Sequence, residues 1–167
     1  TTLADTTHSV FALDVDGDGD VDALSAYADT VSWYENDGSE SFTERIITNS
    51  VDTARFVYAI DVDGDGDVDA LSASFSDDTV AWHENDAAQS FTMRVITTLA
   101  DGAYDVFAID FDGDGDVDAL STSLIDNTVA WYGNDGSQGF IERAITTLSE
   151  NSRSVFAIDV DGDGDVD

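Results

Sequence analysis

The apolar and polar positions of the chain follow one rhythm that recurs four times. "SVFALD" (9–14), "FVYAID" (56–61), "DVFAID" (105–110) and "SVFAID" (154–159) are short, β-branched and aromatic, with apolar residues on both alternating faces. That pattern marks a strand covered on both sides. "ALSA" follows as a second strand. "TVSWYEN" (30–36), "TVAWHEN" (79–85) and "TVAWYGN" (128–134) form a third, with Val31 and Trp33 on one face and Ser32 and Tyr34 on the other. Asn36-Asp37-Gly38 and Asn134-Asp135-Gly136 then read as hairpin turns, because glycine accepts positive φ. Asn85-Asp86-Ala87 is a weaker turn signal. "SFTERIIT" (41–48) alternates with mixed polarity, as an exposed edge strand does. No stretch sustains a 3.6-residue period, so no helix is expected.

Between the first two strands lies "DVDGDGDVD" at 14–22, repeated at 61–69 and 159–167, and at 110–118 with Phe111 for Val. The starts are 47, 49 and 49 residues apart. The short first interval arises at one point, "SAYADT" against "SASFSDDT", which predicts a loop between strands. Four short strands per module of about 49 residues predict an all-β fold of β-propeller blades. The blades are read as 9–55, 56–104 and 105–153, with a partial blade at 154–167. Three blades plus the first strand and loop of a fourth cannot close a ring of the usual 4–8 blades. The chain is therefore expected to be a window of a partial propeller, closed by further sequence or by other chains.

Charge sharpens the picture. The chain carries 37 acids against five arginines and no lysine, for a net charge of −32. Apolar residues are 42% and aromatics 10%, which sets it apart from a disordered acidic tail. The balance argues against nucleic acid and anionic membranes as partners and for a cation. There is no cysteine, hence no disulfide and no thiolate site. No apolar run reaches the length of a membrane span. With two histidines and no cysteine, no nucleophile–base set stands out, and no catalytic activity is expected.

Numbering the nonapeptide from Asp14, carboxylates at positions 1, 3 and 5 (Asp14, Asp16, Asp18) lie inside a tight curve that Gly19 permits. Position 7 (Asp20) offers a backbone carbonyl and position 9 (Asp22) a fourth carboxylate. An oxygen-only set in a flexible loop suits Ca²⁺, whereas Zn²⁺ prefers His or Cys and Mg²⁺ demands stricter octahedral geometry. The equivalent sets are Asp61, Asp63, Asp65, Asp67 and Asp69; Asp110, Asp112, Asp114, Asp116 and Asp118; and Asp159, Asp161, Asp163, Asp165 and Asp167. One ion per loop gives three to four ions. The EF-hand and dockerin alternatives share D-x-D-x-D-G. An EF-hand needs a glutamate at position 12 and flanking helices; here position 12 is Ser25, Ser72 or Ser121, between strands.

With its flanking strands, this D-x-D-x-D-G-x-x-D loop resembles the FG-GAP/VCBS repeat family, over the whole chain. The resemblance implies calcium-bearing propeller blades of the integrin-α type, ligation by the aspartates named above, and an extracellular or cell-surface setting where calcium fills weak sites. Departures from the pattern are the shortened turn at Tyr27–Ala28, Gly133 for Glu and Ala87 for Gly; none touches the loop.

Other recurring residues fit a scaffold. Trp33, Trp82 and Trp131 are expected in the core between blades, and His83 in a structural role in place of tyrosine. Arg45, Arg94 and Arg143 are expected to pair with acids of a neighbouring blade or chain. His8, Arg55, Tyr104 and Arg153, each six residues before a loop, vary in type and are candidates for a contact surface. The function these features support is a calcium-stabilised structural or adhesive module. It would contact other repeats, surface proteins or glycans, within a filament or a large repeat glycoprotein. The alternatives are a non-catalytic propeller attached to a secreted polysaccharide-active enzyme, or the ligand-binding head of a receptor.

Overall fold

The structure is a computed structural model and describes residues 6–167. Twelve strands form three four-stranded antiparallel sheets, each a meander in chain order. The first holds β1 (Thr7–Leu13), β2 (Asp22–Tyr27), β3 (Thr30–Asn36) and β4 (Phe42–Thr48). The second holds β5 (Ala54–Ile60), β6 (Asp69–Ser74), β7 (Thr79–Asn85) and β8 (Phe91–Thr97). The third holds β9 (Ala103–Ile109), β10 (Asp118–Ser123), β11 (Thr128–Asn134) and β12 (Phe140–Thr146). These are the expected blades, set side by side as in a β-propeller whose ring is not closed. β1, β5 and β9 open two residues ahead of the repeat boundaries read from the sequence, at register shifts such as Ala54/Phe56.

The sheets pack face to face through their first strands, with β1 against β5 and β5 against β9. Val31, Trp33 and Leu24 of the first sheet join Val57, Ala59 and Ala70 of the second in one cluster. Leu71, Val80 and Trp82 join Val106, Ala108, Ala119 and Tyr132 in the next. Trp33 and Trp82 are each 1% exposed, so both lie between blades as expected. Trp131 stays partly exposed, because residues 154–167 cover it with less than a full sheet. Ala157 still packs on Phe107 and Leu120. Residues 152–158 form no strand: a strand needs a paired neighbour, and in the other repeats that neighbour follows the acidic loop. β4, β8 and β12 are the exposed outer edges.

The turns carry the length variation. Ala28-Asp29 links β2 to β3, and four residues link β6 to β7 and β10 to β11. The Asp29 carboxylate accepts from Thr53 N–H at 3.2 Å, and Asp78 from Gly102 N–H at 2.8 Å, so each turn ties its blade to the next. The hairpin after Asn85 forms despite lacking glycine. Ala87 takes φ +61°, and the Asp86 carboxylate accepts from Ala88 and Ser90 N–H, each at 3.1 Å. Gly38 has a second reason to be glycine, since a Cβ there would sit 2.5 Å from Asp20 Oδ2.

The outer-strand arginines correct one expectation. Arg45 and Arg94 pair within their own blade, donating to Glu35 at 2.6 Å and Glu84 at 2.7 Å. Strand register sets this, because Arg45 lies directly opposite Trp33 and diagonal to Glu35. The guanidinium therefore also lies over the indole, at 5.8 Å in the first blade and 5.5 Å in the second. Where Gly133 removes the carboxylate, Arg143 settles closer on Trp131, at 4.3 Å.

Because Trp82 is buried between two blades, Trp82→Ala should cost about 3–5 kcal/mol in denaturant unfolding. Trp131→Ala should cost clearly less; equal costs would mean that the interface between blades is not the source of the stability.

Candidate metal centres

The first three nonapeptides each link the first two strands of their blade, so these loops lie beyond the same ends of those strands. Two glycines shape each loop. Gly17 and Gly19 have φ of +75° and +97°, and nothing lies within 4 Å of either missing Cβ. Backbone conformation, not crowding, requires them. The Asp14 carboxylate gathers the turn, accepting from Gly17 N–H at 2.8 Å and Gly19 N–H at 3.0 Å. Asp16 accepts from Asp18 N–H at 3.2 Å and Asp18 from Asp20 N–H at 2.8 Å. The position-1 bonds recur at Asp61, Asp110 and Asp159.

Position 9 is different. Asp22, Asp69 and Asp118 are only 2%, 1% and 1% exposed. Asp69 Oδ2 accepts from Val62 N–H at 2.9 Å, and its Oδ1 from Asn85 N–H at 2.8 Å. Asp22 and Asp118 make the same two bonds, to Val15 and Asn36 and to Phe111 and Asn134. The asparagine answers by donating Nδ2–H to the position-8 carbonyl, as Asn85 does to Val68 at 3.1 Å. Asn36, Asn85 and Asn134 are thus part of the loop's frame. Their identical place at the end of all three third strands was a signal for this, beside the turn role assigned to them.

In every loop three carboxylates converge so that one oxygen from each lies within 4.8 Å of the others. They are Asp14, Asp16 and Asp18 in the first loop. In the others they are positions 1, 3 and 9: Asp61, Asp63 and Asp69; Asp110, Asp112 and Asp118; Asp159, Asp161 and Asp167. Asp65, Asp114 and Asp163 lie outside these triplets. So do the side chains of the position-7 residues Asp20, Asp67, Asp116 and Asp165, which the sequence assigns a ligand role through the main-chain carbonyl. Asp116 and Asp165 instead reach the preceding blade. Asp116 shares a cavity of about 280 Å³ with Asp63 and Asp65, and Asp165 shares one of about 380 Å³ with Asp110 and Asp112.

Protonation reflects the crowding. Burial, then the neighbouring carboxylates, raises Asp63 above its ordinary range, and Asp16 and Asp112 shift the same way with burial as the leading cause. Asp69 is pushed up to about 6 by burial, against the pull of the Asn85 and Val62 N–H groups. No arginine pairs with a loop aspartate among the described residues. Hard oxygen donors, mutual repulsion and no internal counter-charge together fit a hard dication such as Ca²⁺. Asp14, Asp16, Asp18 and Asp22, with their counterparts, are the residues that would hold it.

His83 is fully buried, its Nε2 2.9 Å from Ser72 Oγ, and burial pushes it down to about 4, so it is a neutral core residue. Tyr132 makes the equivalent contact to Ser121 at 3.1 Å. His8, Arg55, Tyr104 and Arg153 come together in one string. Arg55 Nη1 is 3.3 Å from His8 Nδ1, and the Arg55 and Arg153 guanidiniums are 5.6 and 5.7 Å from the Tyr104 ring.

Blades of four antiparallel strands, each with an acidic loop between its first two strands, define a propeller-type repeat protein. The FG-GAP-like repeat family matches residues 14–72, 61–121 and 123–167, and the chain belongs to it. Among solved structures it is similar to an Agrocybe aegerita lectin described as specifically recognising non-reducing terminal N-acetylglucosamine. The identity is 18% and the TM-score 0.65, covering 98% of this chain and 46% of the lectin, so the likeness is one of fold. This chain spans about half the lectin's length. No curated protein matches the sequence.

The raised acids give the metal-free fold a definite pH dependence. The folded value of Asp69, about 6, exceeds its ordinary 3.8. Its proton-linked stability is therefore complete below pH ~4 and lost as pH rises through ~6, up to about 3 kcal/mol for this group. Metal-stripped protein should melt at falling temperatures as pH is raised across that window. Calcium-loaded protein should not follow this decline, because metal binding requires the ionised carboxylates. Parallel melting series across that range check both.

Proposed function

We propose that the chain is a non-catalytic, calcium-stabilised segment of an extracellular propeller that presents surfaces to protein or glycan partners. The observation that carries this reading is the fourfold recurrence of one loop geometry, each copy gathering three carboxylates without an internal counter-charge. A dication turns that repulsion into a cross-link between two strands, and the binding free energy becomes folding free energy. Loops of this type with weak affinity, on the order of 10⁻⁴–10⁻³ M, fill only where calcium is millimolar, which supports an extracellular or cell-surface setting. Glycan binding is supported by the lectin of similar fold. Near-identical blades support packing against further repeats of the same kind in a filament or repeat glycoprotein.

Thermal melting tests the metal. The midpoint should fall markedly in excess EGTA compared with about 2 mM Ca²⁺, a level chosen to exceed weak-site dissociation constants. Identical melting in the two buffers would refute the reading. Asp16→Asn with Asp18→Asn should lower the calcium stoichiometry seen by calorimetry by one, leaving the other loops filled.

A further inference from the structure

The starts of the first strands, at the ends opposite the acidic loops, carry a second arrangement with a different chemistry. His8, Arg55, Tyr104 and Arg153 hold one register position in four successive repeats, six residues before each loop. At about 3.3 Å per residue, that is about 20 Å from the candidate metal centres. The Arg55 guanidinium lies 5.1 Å from the Phe75 ring and 5.6 Å from the Tyr104 ring. Arg153 reaches the same Tyr104 ring at 5.7 Å. The ring attracts each cation, but the two cations repel each other. Apolar side chains adjoin them. A Cβ on Gly102 would lie 3.1 Å from the Phe75 ring and 2.8 Å from Ile125, and Ile125 is 55% exposed.

The chain does not neutralise these cations. It holds 37 acids and five arginines, yet the ion pairs among the described residues are Arg45–Glu35 and Arg94–Glu84. Acids of the adjoining segments hold hydroxyl or backbone groups instead. Asp52 accepts from the Thr53 hydroxyl at 3.1 Å, and Asp77 from Asp52 N–H at 3.1 Å. Asp105 turns to the next blade and accepts from Val155 N–H at 2.8 Å. Arg55 Nε is buried with no hydrogen-bond partner. Burial, then the Arg55 charge, holds His8 below its ordinary range, as an uncompensated cation beside it does. The scaffold does not require arginine here, since tyrosine serves at this position of the third blade.

We propose that Arg55 and Arg153, which share the Tyr104 ring, bind the carboxylate of an acidic side chain from a protein partner. A guanidinium presents two parallel N–H donors to a carboxylate, and stacking on a ring leaves that fork free. Phe75 and Ile125 would take up an apolar residue beside the acid. Charge favours a protein segment over an acidic polysaccharide. A net charge of −32 repels a polyanion, whereas a single carboxylate between apolar residues meets the local cations.

The site deepens the proposed role in protein contacts and rests on that reading, but not on the metal loops. Its test uses calcium-saturated, folded protein at about 0.15 M salt, where exposed charges are screened beyond ~8 Å. Acetyl-Leu-Glu-Phe-amide is titrated calorimetrically beside acetyl-Leu-Gln-Phe-amide. The acidic peptide should bind at least about tenfold more tightly, equivalent to ~1.4 kcal/mol. Arg153→Gln should abolish that preference and melt with the parent chain, since Arg153 is exposed. Ile125→Ser should weaken both peptides by a similar factor. Equal binding of the two peptides, or no binding at all, would overturn the proposal. So would a preference that survives in Arg153→Gln, as it would for an acid held by a loop-bound ion. Tighter binding of a chondroitin sulfate hexasaccharide than of the acidic peptide would overturn the protein partner. Unchanged melting in EGTA would overturn the metal reading alone.

Discussion

The structure depends on one buried carboxylate per blade, at the ninth position of the acidic loop. Asp69 bridges the loop's second residue and the last residue of the third strand through two backbone N–H groups. It thus fixes the loop, the second strand and the third strand relative to one another. Burying such a group is costly, and burial pushes the Asp69 carboxyl up to about 6 against the pull of the two N–H groups. In the second and third loops the same buried carboxylate, Asp69 or Asp118, is also a member of the acidic triplet. One residue therefore couples the strand scaffold to the candidate cation site, so an ion bound there would be felt in the sheet as well as in the loop.

Between blades the constraint is different. Each pair of neighbouring sheets shares one core, so Trp33 and Trp82 complete cores made of two blades rather than one. The outer edge is held within a blade instead, by an arginine lying over the tryptophan and bonded to a glutamate on the adjacent strand. Exposed pairs of this kind contribute little individually. Their placement over the indole shields the outer rim of the core, which is why Arg143 keeps its place when Gly133 removes its carboxylate.

The strands, their order and the acidic loops were legible because they rest on short-range patterns repeated in register: alternation, a β-branched first strand, glycines at fixed places. The tryptophan cores were legible for the same reason. Partners across strands were not. The pairing of Arg45 with Glu35 follows from which residues stand opposite each other on β3 and β4, and spacing along the chain is silent on that. Asn85 read as part of a turn, while its backbone N–H and side chain also frame the loop 16 residues earlier. Ala87 read as a weakened turn, yet the hairpin closes around the Asp86 carboxylate with alanine in the left-handed region. Local propensity lost there to the pairing of the strands on either side. Asp105 gave no signal, because "DVFAID" reads as one more first strand until its neighbours in the adjacent blade are known.

In a repeat array each blade meets only its neighbours, so stability is shared among similar interfaces. That arrangement separates what must repeat from what can vary. The acidic loop, the asparagine and the tryptophan recur because every blade needs the same frame. The starts of the first strands carry His8, Arg55, Tyr104 and Arg153, then Ser9, Phe56, Asp105 and Ser154. At this second position Ser9 and Asp105 bond to the next blade through a hydroxyl and a carboxylate, while Phe56 offers neither, so side-chain chemistry there is free to differ from blade to blade. A surface whose chemistry changes around the array, on a frame that does not, can distinguish partners without disturbing the fold.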